Sequence, residues 1–147
     1  MTHRRRDILT FAVLATLFAA IGGVAHAFDP KSTAPINLDT TGVALRGYDP
    51  VAYFAGGKPT VGSTKLQSTW NGATYRFANA DNKSAFDKEP AKYAPQYGGF
   101  CAYAAANGYK ADADPTAWSV VDGRLFVNYN AAVAKTWQGS SAKFIRD

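Results

Sequence analysis

The sequence predicts a small single α+β domain of two β-hairpins packed with short helices. Three observations carry that reading. Asn71-Gly72 and Asp122-Gly123 each lie between short runs rich in β-branched and aromatic residues. Asn-Gly and Asp-Gly are favoured two-residue hairpin turns because both turn positions need positive φ. Each second arm is followed by an asparagine able to cap a helix, Asn79 or Asn130. Beyond Asn130, the apolar residues Ala131, Val133, Ala134 and Trp137 recur at three- and four-residue intervals, as on one face of a helix.

The chain has 147 residues, the length of one domain. Residues 1–27 read as an export signal, to be set aside before the fold is considered. Arg4-Arg5-Arg6 precede an apolar run from Ile8 to Val24, and Ala25-His26-Ala27 supplies an A-x-A cleavage site after Ala27. Arg5 and Arg6, followed by Asp7-Ile8-Leu9, match a twin-arginine signal, with an ordinary secretory signal as the alternative. Gly22-Gly23 and the cleavage site favour removal over a retained anchor. The expected location is the periplasm, with no membrane attachment after cleavage.

Of the 16 Lys/Arg and 11 Asp/Glu, three and one fall in the signal, so the net charge drops from +5 to +3. No Lys/Arg cluster remains to form a nucleic-acid surface. Both histidines and the single methionine also lie in residues 1–27, which leaves a mature chain with one cysteine, Cys101. Such a chain cannot assemble a Cys/His zinc site or a soft copper site alone. It also cannot close an internal disulfide, so Cys101 is buried, reactive or paired between chains. Serine and cysteine triads are excluded for want of histidine.

The elements follow in order. Residues 28–40 mix Pro, Ser, Thr, Asn and Asp and read as an extended arm, with the domain proper over 41–147. Asp49-Pro50 starts a helical turn through Val51-Ala52-Tyr53-Phe54, with Asp49 as cap and Pro50 at the first helical position. Leu66 to Ala78 forms the first hairpin. Its second arm places Tyr75 and Phe77 on one face and Thr74, Arg76 and Ala78 on the other. Asn79 caps a helix over Ala80 to Lys88, with Ala85 and Phe86 turned inward. Pro90 opens a short turn through Tyr93. After Gly98-Gly99, the spacing of Phe100, Cys101, Ala104 and Ala105 predicts a buried helix from Phe100 to Asn107, ended at Asn107-Gly108. Ala111 to Pro115 reads as an acidic loop carrying Asp112 and Asp114. Strands Ala117–Val121 and Arg124–Asn128 flank the second turn. A helix from Asn130 through Trp137 follows, stopped by Gly139, with a last short turn holding Phe144 and Ile145. No internal sequence repeat is strong enough to split the domain.

Several of these segments carry a family likeness. They are Gly47-Tyr48-Asp49-Pro50-Val51-Ala52-Tyr53-Phe54, Tyr75-Arg76-Phe77-Ala78, the stretch from Pro90 to Tyr103, and the stretch from Trp118 to Asn130. With them the chain resembles the YHS-domain family, and within it the stand-alone exported bacterial members. The resemblance spans about residues 40–140. It implies a small α+β module that handles metal ions, with a transition metal such as copper as the expected cofactor. The metal-binding members carry cysteine at three positions occupied here by Ala52, Ala78 and Asn82. Cys101 lies outside that pattern and typifies the stand-alone group.

The candidate site gathers Cys101 with Tyr48, Asp49, Tyr97 and Tyr103. Cys101 reads either as a small buried core residue or as a soft ligand or redox thiol, with Gly98-Gly99 opening a helix N-terminus beside it. Asp49 and Tyr48 either cap and pack or face a pocket, and Tyr97 and Tyr103 either pack or border one. Asp112 and Asp114 read as a solvated loop rather than a hard-cation site. The expectation is a non-enzymatic periplasmic module that binds a metal ion or small ligand; because one cysteine cannot close a metal site, a second protein chain, oxygen ligands or an exogenous ligand would have to complete it. The alternatives are a thiol- or redox-active protein working through Cys101 and a structural or protein-interaction module.

Overall fold

The computed structural model describes residues 32–145. The signal over 1–27, with Arg5, Arg6, Ala25 and Ala27, lies outside the described residues, as does the start of the arm. The elements are α1 (Ala52–Ala55), β1 (Ser63–Trp70), β2 (Ala73–Phe77), α2 (Ala80–Lys88), α3 (Pro90–Tyr93), α4 (Ala102–Ala106), β3 (Asp114–Val121), β4 (Arg124–Asn128), α5 (Ala131–Gln138) and α6 (Ser141–Phe144). Strands β1 and β2 form one antiparallel sheet and β3 and β4 another. This is the small α+β domain that the two turn signals predict. No helix among the described residues is long and apolar enough to cross a membrane.

Local chemistry explains the hairpins and their helices. Asn71 and Gly72 have φ of 49° and 78°, and Asp122 and Gly123 have 50° and 70°, the left-handed pairs such turns require. The Asn79 side chain accepts the Asn82 N–H at 2.8 Å, and the Asn130 side chain accepts the Val133 N–H at 2.9 Å. Each cap satisfies a donor that the first helical turn leaves orphaned. Ala73, Tyr75 and Phe77 bury the inner face of β2, whereas both faces of β4 are covered from Leu125 to Asn128.

The arm is not loose. Its Asn37 N–H bonds the Gly98 carbonyl at 2.8 Å, and Leu38 pairs with Ala44. The fit is close enough that a Cβ on Gly98, whose φ is +63°, would meet the Pro35 carbonyl oxygen at 2.0 Å. Two sequence expectations need correction. The central helix begins at Ala102, not Phe100, because Tyr97, Gly98 and Gly99 are all left-handed (54°, 63° and 79°) and leave Phe100 extended. In α5, Ala131 faces solvent, and Ala134 with Trp137 form the buried stripe.

The architecture is a repeat that the sequence hides. A left-handed triplet, a short helix, a hairpin and a capped helix occur once from Leu45 to Lys88 and again from Tyr97 to Gln138. Gly72 and Gly123 lie 51 positions apart, as do the caps Asn79 and Asn130. The strand register slips between Ser63 and Gln67 in one hairpin and between Asp114 and Trp118 in the other, at matching positions. Tyr75 stacks on Phe86 at 4.8 Å and 38°, and Phe126 stacks on Trp137 at 4.7 Å and 37°. Ser68 bonds Asp87, and Ser119 bonds Gln138, again at matching positions. Gly72/Gly123, Asn79/Asn130 and Ser68/Ser119 are identical pairs, and the others share position and geometry rather than residue type.

Candidate functional site

Asp49 is fully buried at 0% exposure and accepts four hydrogen bonds. Its Oδ1 takes the N–H groups of Val51 (2.8 Å) and Ala52 (3.3 Å). Its Oδ2 takes the Ala78 N–H and the Asn82 side-chain amide, both at 2.8 Å. The carboxylate therefore ties the start of α1 to the end of β2 and to α2.

Cys101 holds the place in the second unit that Asp49 holds in the first. Each follows its left-handed triplet by two residues. The Asp49 N–H bonds Thr60 O at 2.8 Å, and the Cys101 N–H bonds Ala111 O at 2.9 Å. A thiol cannot cap as a carboxylate does, and the acceptor comes from β4 instead. Buried Asn128 offers its Oδ1 to the Tyr103 N–H at 3.0 Å and lies 3.6 Å from the Cys101 sulfur. Cys101 is 2% exposed and lines neither of the clefts described below. Among the described residues, no group of three His, Cys, Asp or Glu side chains converges as a metal site.

The predicted site residues therefore fall in separate surroundings. Cys101 and Tyr103 share Asn128. Asp49 belongs to the first unit. Tyr48 packs beside Leu45 and Tyr53, and the Tyr103 ring meets Phe144 edge-on at 5.4 Å. Tyr97 stands apart. It is 39% exposed, stacks on Phe126 at 6.0 Å and borders an open groove.

Two concave features flank the arm. The first, about 310 Å³, has apolar walls from Ile36, Leu45, Phe100 and Val127 and a polar side made by Asn37, Arg46 and Asp112. Its polar groups already satisfy one another. Arg46 pairs with Asp112 at 2.7 Å, and Asn37 donates to Asp112 at 2.9 Å and to the Gly99 carbonyl at 3.2 Å. Asp112 is thus no solvated loop residue but the latch joining the arm to both units. Asp114 caps the turn at Thr116.

Burial raises the Asp112 carboxyl. Hydrogen bonds from Asn37, Arg46 and the Ala113 N–H outweigh that, with help from the Arg46 charge, and hold the carboxyl below its ordinary range. A carboxyl depressed in the fold adds stability above the unfolded value of about 3.9, and that stability is lost as pH falls through the folded value. Asp112→Asn should therefore be less stable than wild type at pH 7, with the gap closing toward pH 3 in urea unfolding. A gap that persists unchanged into acid would show that the charge is not its source.

The second feature, about 480 Å³, lies between the hairpin tip at Trp70-Asn71, the arm at Pro35-Ile36 and the segment Ala94 to Gly98. None of its lining side chains is charged. Tyr75 lines it while only 1% exposed, and its hydroxyl has no hydrogen-bond partner among the described residues. That hydroxyl is not sealed either, since the enclosed unpartnered atoms are Asn128 Nδ2 and Trp137 Nε1. The Trp70 indole N–H, the Tyr97 hydroxyl and the Gln96 amide likewise have no partner among the described residues.

Sequence reasoning missed Trp70, Tyr75 and Gln96 as site residues, along with Asn37, Arg46 and Asn128. Tyr75 carried one usable signal, a hydroxyl on the buried face of an alternating strand, which demands a partner. No protein-family model matches the chain, and no curated protein and no solved structure matches it.

Proposed function

We propose that the chain is an exported, non-catalytic binding module of YHS type that takes its ligand in the groove beside Tyr97. The observation that supports this reading is the Tyr75 hydroxyl. A buried phenol usually finds a partner within its own protein, because an unmade hydrogen bond costs about 1–3 kcal/mol. Here Tyr75 lines an uncharged groove together with Trp70, Gln96 and Tyr97, whose side-chain polar groups also have no partner among the described residues. The cleft beside Arg46 is the weaker candidate, because its polar groups are already paired with one another. Copper handling through Cys101 has less support, since the thiol is enclosed and its nearest polar neighbour is a neutral amide.

The test is backbone-amide NMR on labelled protein titrated with N-methylpyrrolidone and benzamide, then separately with Cu(I), Cu(II) and Zn(II). Shifts concentrated at residues 70–75 and 94–98 with the organic probes are expected. No shift there at millimolar probe would overturn the groove reading. Stoichiometric metal uptake that is lost in Cys101→Ser would replace it with the metal reading.

A further inference from the structure

We infer that Asn71 is a covalent modification site, at which the Gly72 amide nitrogen displaces the side-chain amide as ammonia. The reaction consumes only water and needs no enzyme. The Gly72 nitrogen gives up its proton to hydroxide and bonds to Asn71 Cγ, and the Cγ–Nδ2 bond breaks with release of ammonia. Water then opens the cyclic imide. Opening at Cγ leaves an aspartyl residue at position 71, and opening at the main-chain carbonyl leaves an isoaspartyl one. Either way a neutral amide becomes a carboxylate at the tip of the first hairpin.

The chain holds two Asn-Gly pairs, and the fold separates them. Asn71-Gly72 and Asn107-Gly108 are both exposed. At the second pair both reacting groups are occupied. The Gly108 N–H donates to the Ala105 carbonyl at 3.1 Å, and the Asn107 side-chain amide donates to the Tyr103 carbonyl at 2.7 Å. These bonds close the end of α4, and the attack would have to break both. At the first pair, neither the Gly72 N–H nor the Asn71 side chain has a hydrogen-bond partner among the described residues. Gly72 has φ of +78° and nothing within 4 Å of where a Cβ would stand, so no neighbour crowds the attacking nitrogen. The Asn71 amide turns onto it without giving up a native contact.

The second hairpin shows that the turn accepts one of the two products. Asp122-Gly123 makes the equivalent turn with φ of 50° and 70°, against 49° and 78° at Asn71-Gly72. An aspartate at position 71 therefore keeps the turn. Isoaspartate adds a carbon to the main chain where two residues must join Trp70 to its pairing partner Ala73. Asn71 also lines the uncharged groove, so the change sets a carboxylate beside a lining that has none.

The experiment is a timed incubation of the purified protein, native and in urea, at neutral and mildly alkaline pH. Samples are digested with trypsin at mildly acidic pH, which halts the reaction, and mapped by mass spectrometry. The peptide Leu66–Arg76 reports Asn71, and Tyr93–Lys110 reports Asn107. In the native protein Asn71 should be converted at least about tenfold faster than Asn107, which must first give up two hydrogen bonds. The Asn71 rate should rise with pH, because hydroxide removes the Gly72 proton. In urea the two asparagines should react at similar rates. Asn71→Asp should keep the wild-type urea midpoint. A native Asn71 that reacts no faster than Asn107 would overturn the inference. A difference that persists unchanged in urea would place its cause in the flanking residues rather than the fold, and would overturn it too. A urea midpoint for Asn71→Asp well below wild type would overturn aspartate as the product the turn accepts.

Discussion

Asp49→Asn is expected to lower the unfolding free energy by about 3–4 kcal/mol, because an amide keeps one acceptor oxygen and turns the other into a donor. Asp49 has no spare capacity to absorb that change. Two N–H groups converge on one oxygen, and an N–H with a side-chain amide converge on the other. Whichever way the new amide turns, its NH₂ meets donors in a site sealed from water. The local dielectric is low there, so unmade bonds are expensive. For a domain of this size the loss corresponds to roughly 12 °C or more in Tm. Urea unfolding followed by far-ultraviolet circular dichroism measures it. A loss below about 1 kcal/mol, the worth of one ordinary hydrogen bond, would mean that the node does not hold α1, β2 and α2 together.

That node shows why some features were legible in the sequence and others were not. Asn71-Gly72, Asp122-Gly123, Asn79 and Asn130 act on donors or dihedrals within three residues of themselves, so local chemistry reveals them. Asp49 was legible in the same way as a cap for α1. Its second oxygen reaches Ala78 and Asn82, some thirty positions on, and that part was invisible. Asp112 is the extreme case, since its partners Asn37 and Arg46 lie 75 and 66 positions away. Read locally, it looks like a solvated acid. The central helix was drawn too long because Phe100 and Cys101 have helical spacing to Ala104 and Ala105. Left-handed φ at Tyr97, a non-glycine residue, is a tertiary outcome and leaves no local signal. Cys101 drew attention through its rarity. Its place is explained by the repeat, in which it stands where Asp49 stands and leaves the capping to Asn128.

The repeat also yields the second large effect. Trp137 and Phe86 plug matching positions, each stacked on the central aromatic of its own hairpin. Trp137 is 0% exposed and packs with Ala102 and Phe126. Trp137→Ala empties the centre of the second unit and is expected to cost about 4–5 kcal/mol, the upper range for truncating a buried aromatic. Trp137→Phe is expected to behave quite differently, at about 1 kcal/mol or less, as two opposing effects show. The smaller ring loses contact area, but it also removes a buried indole N–H that has no partner among the described residues. Returning that donor's desolvation penalty of about 1–3 kcal/mol offsets most of the lost packing. The first unit already works with phenylalanine at this position. Paired urea titrations of the two variants decide the matter. If Trp137→Phe proved nearly as damaging as Trp137→Ala, the indole N–H would have a buried partner such as an enclosed water, and the second unit would rest on a polar contact that the first unit lacks.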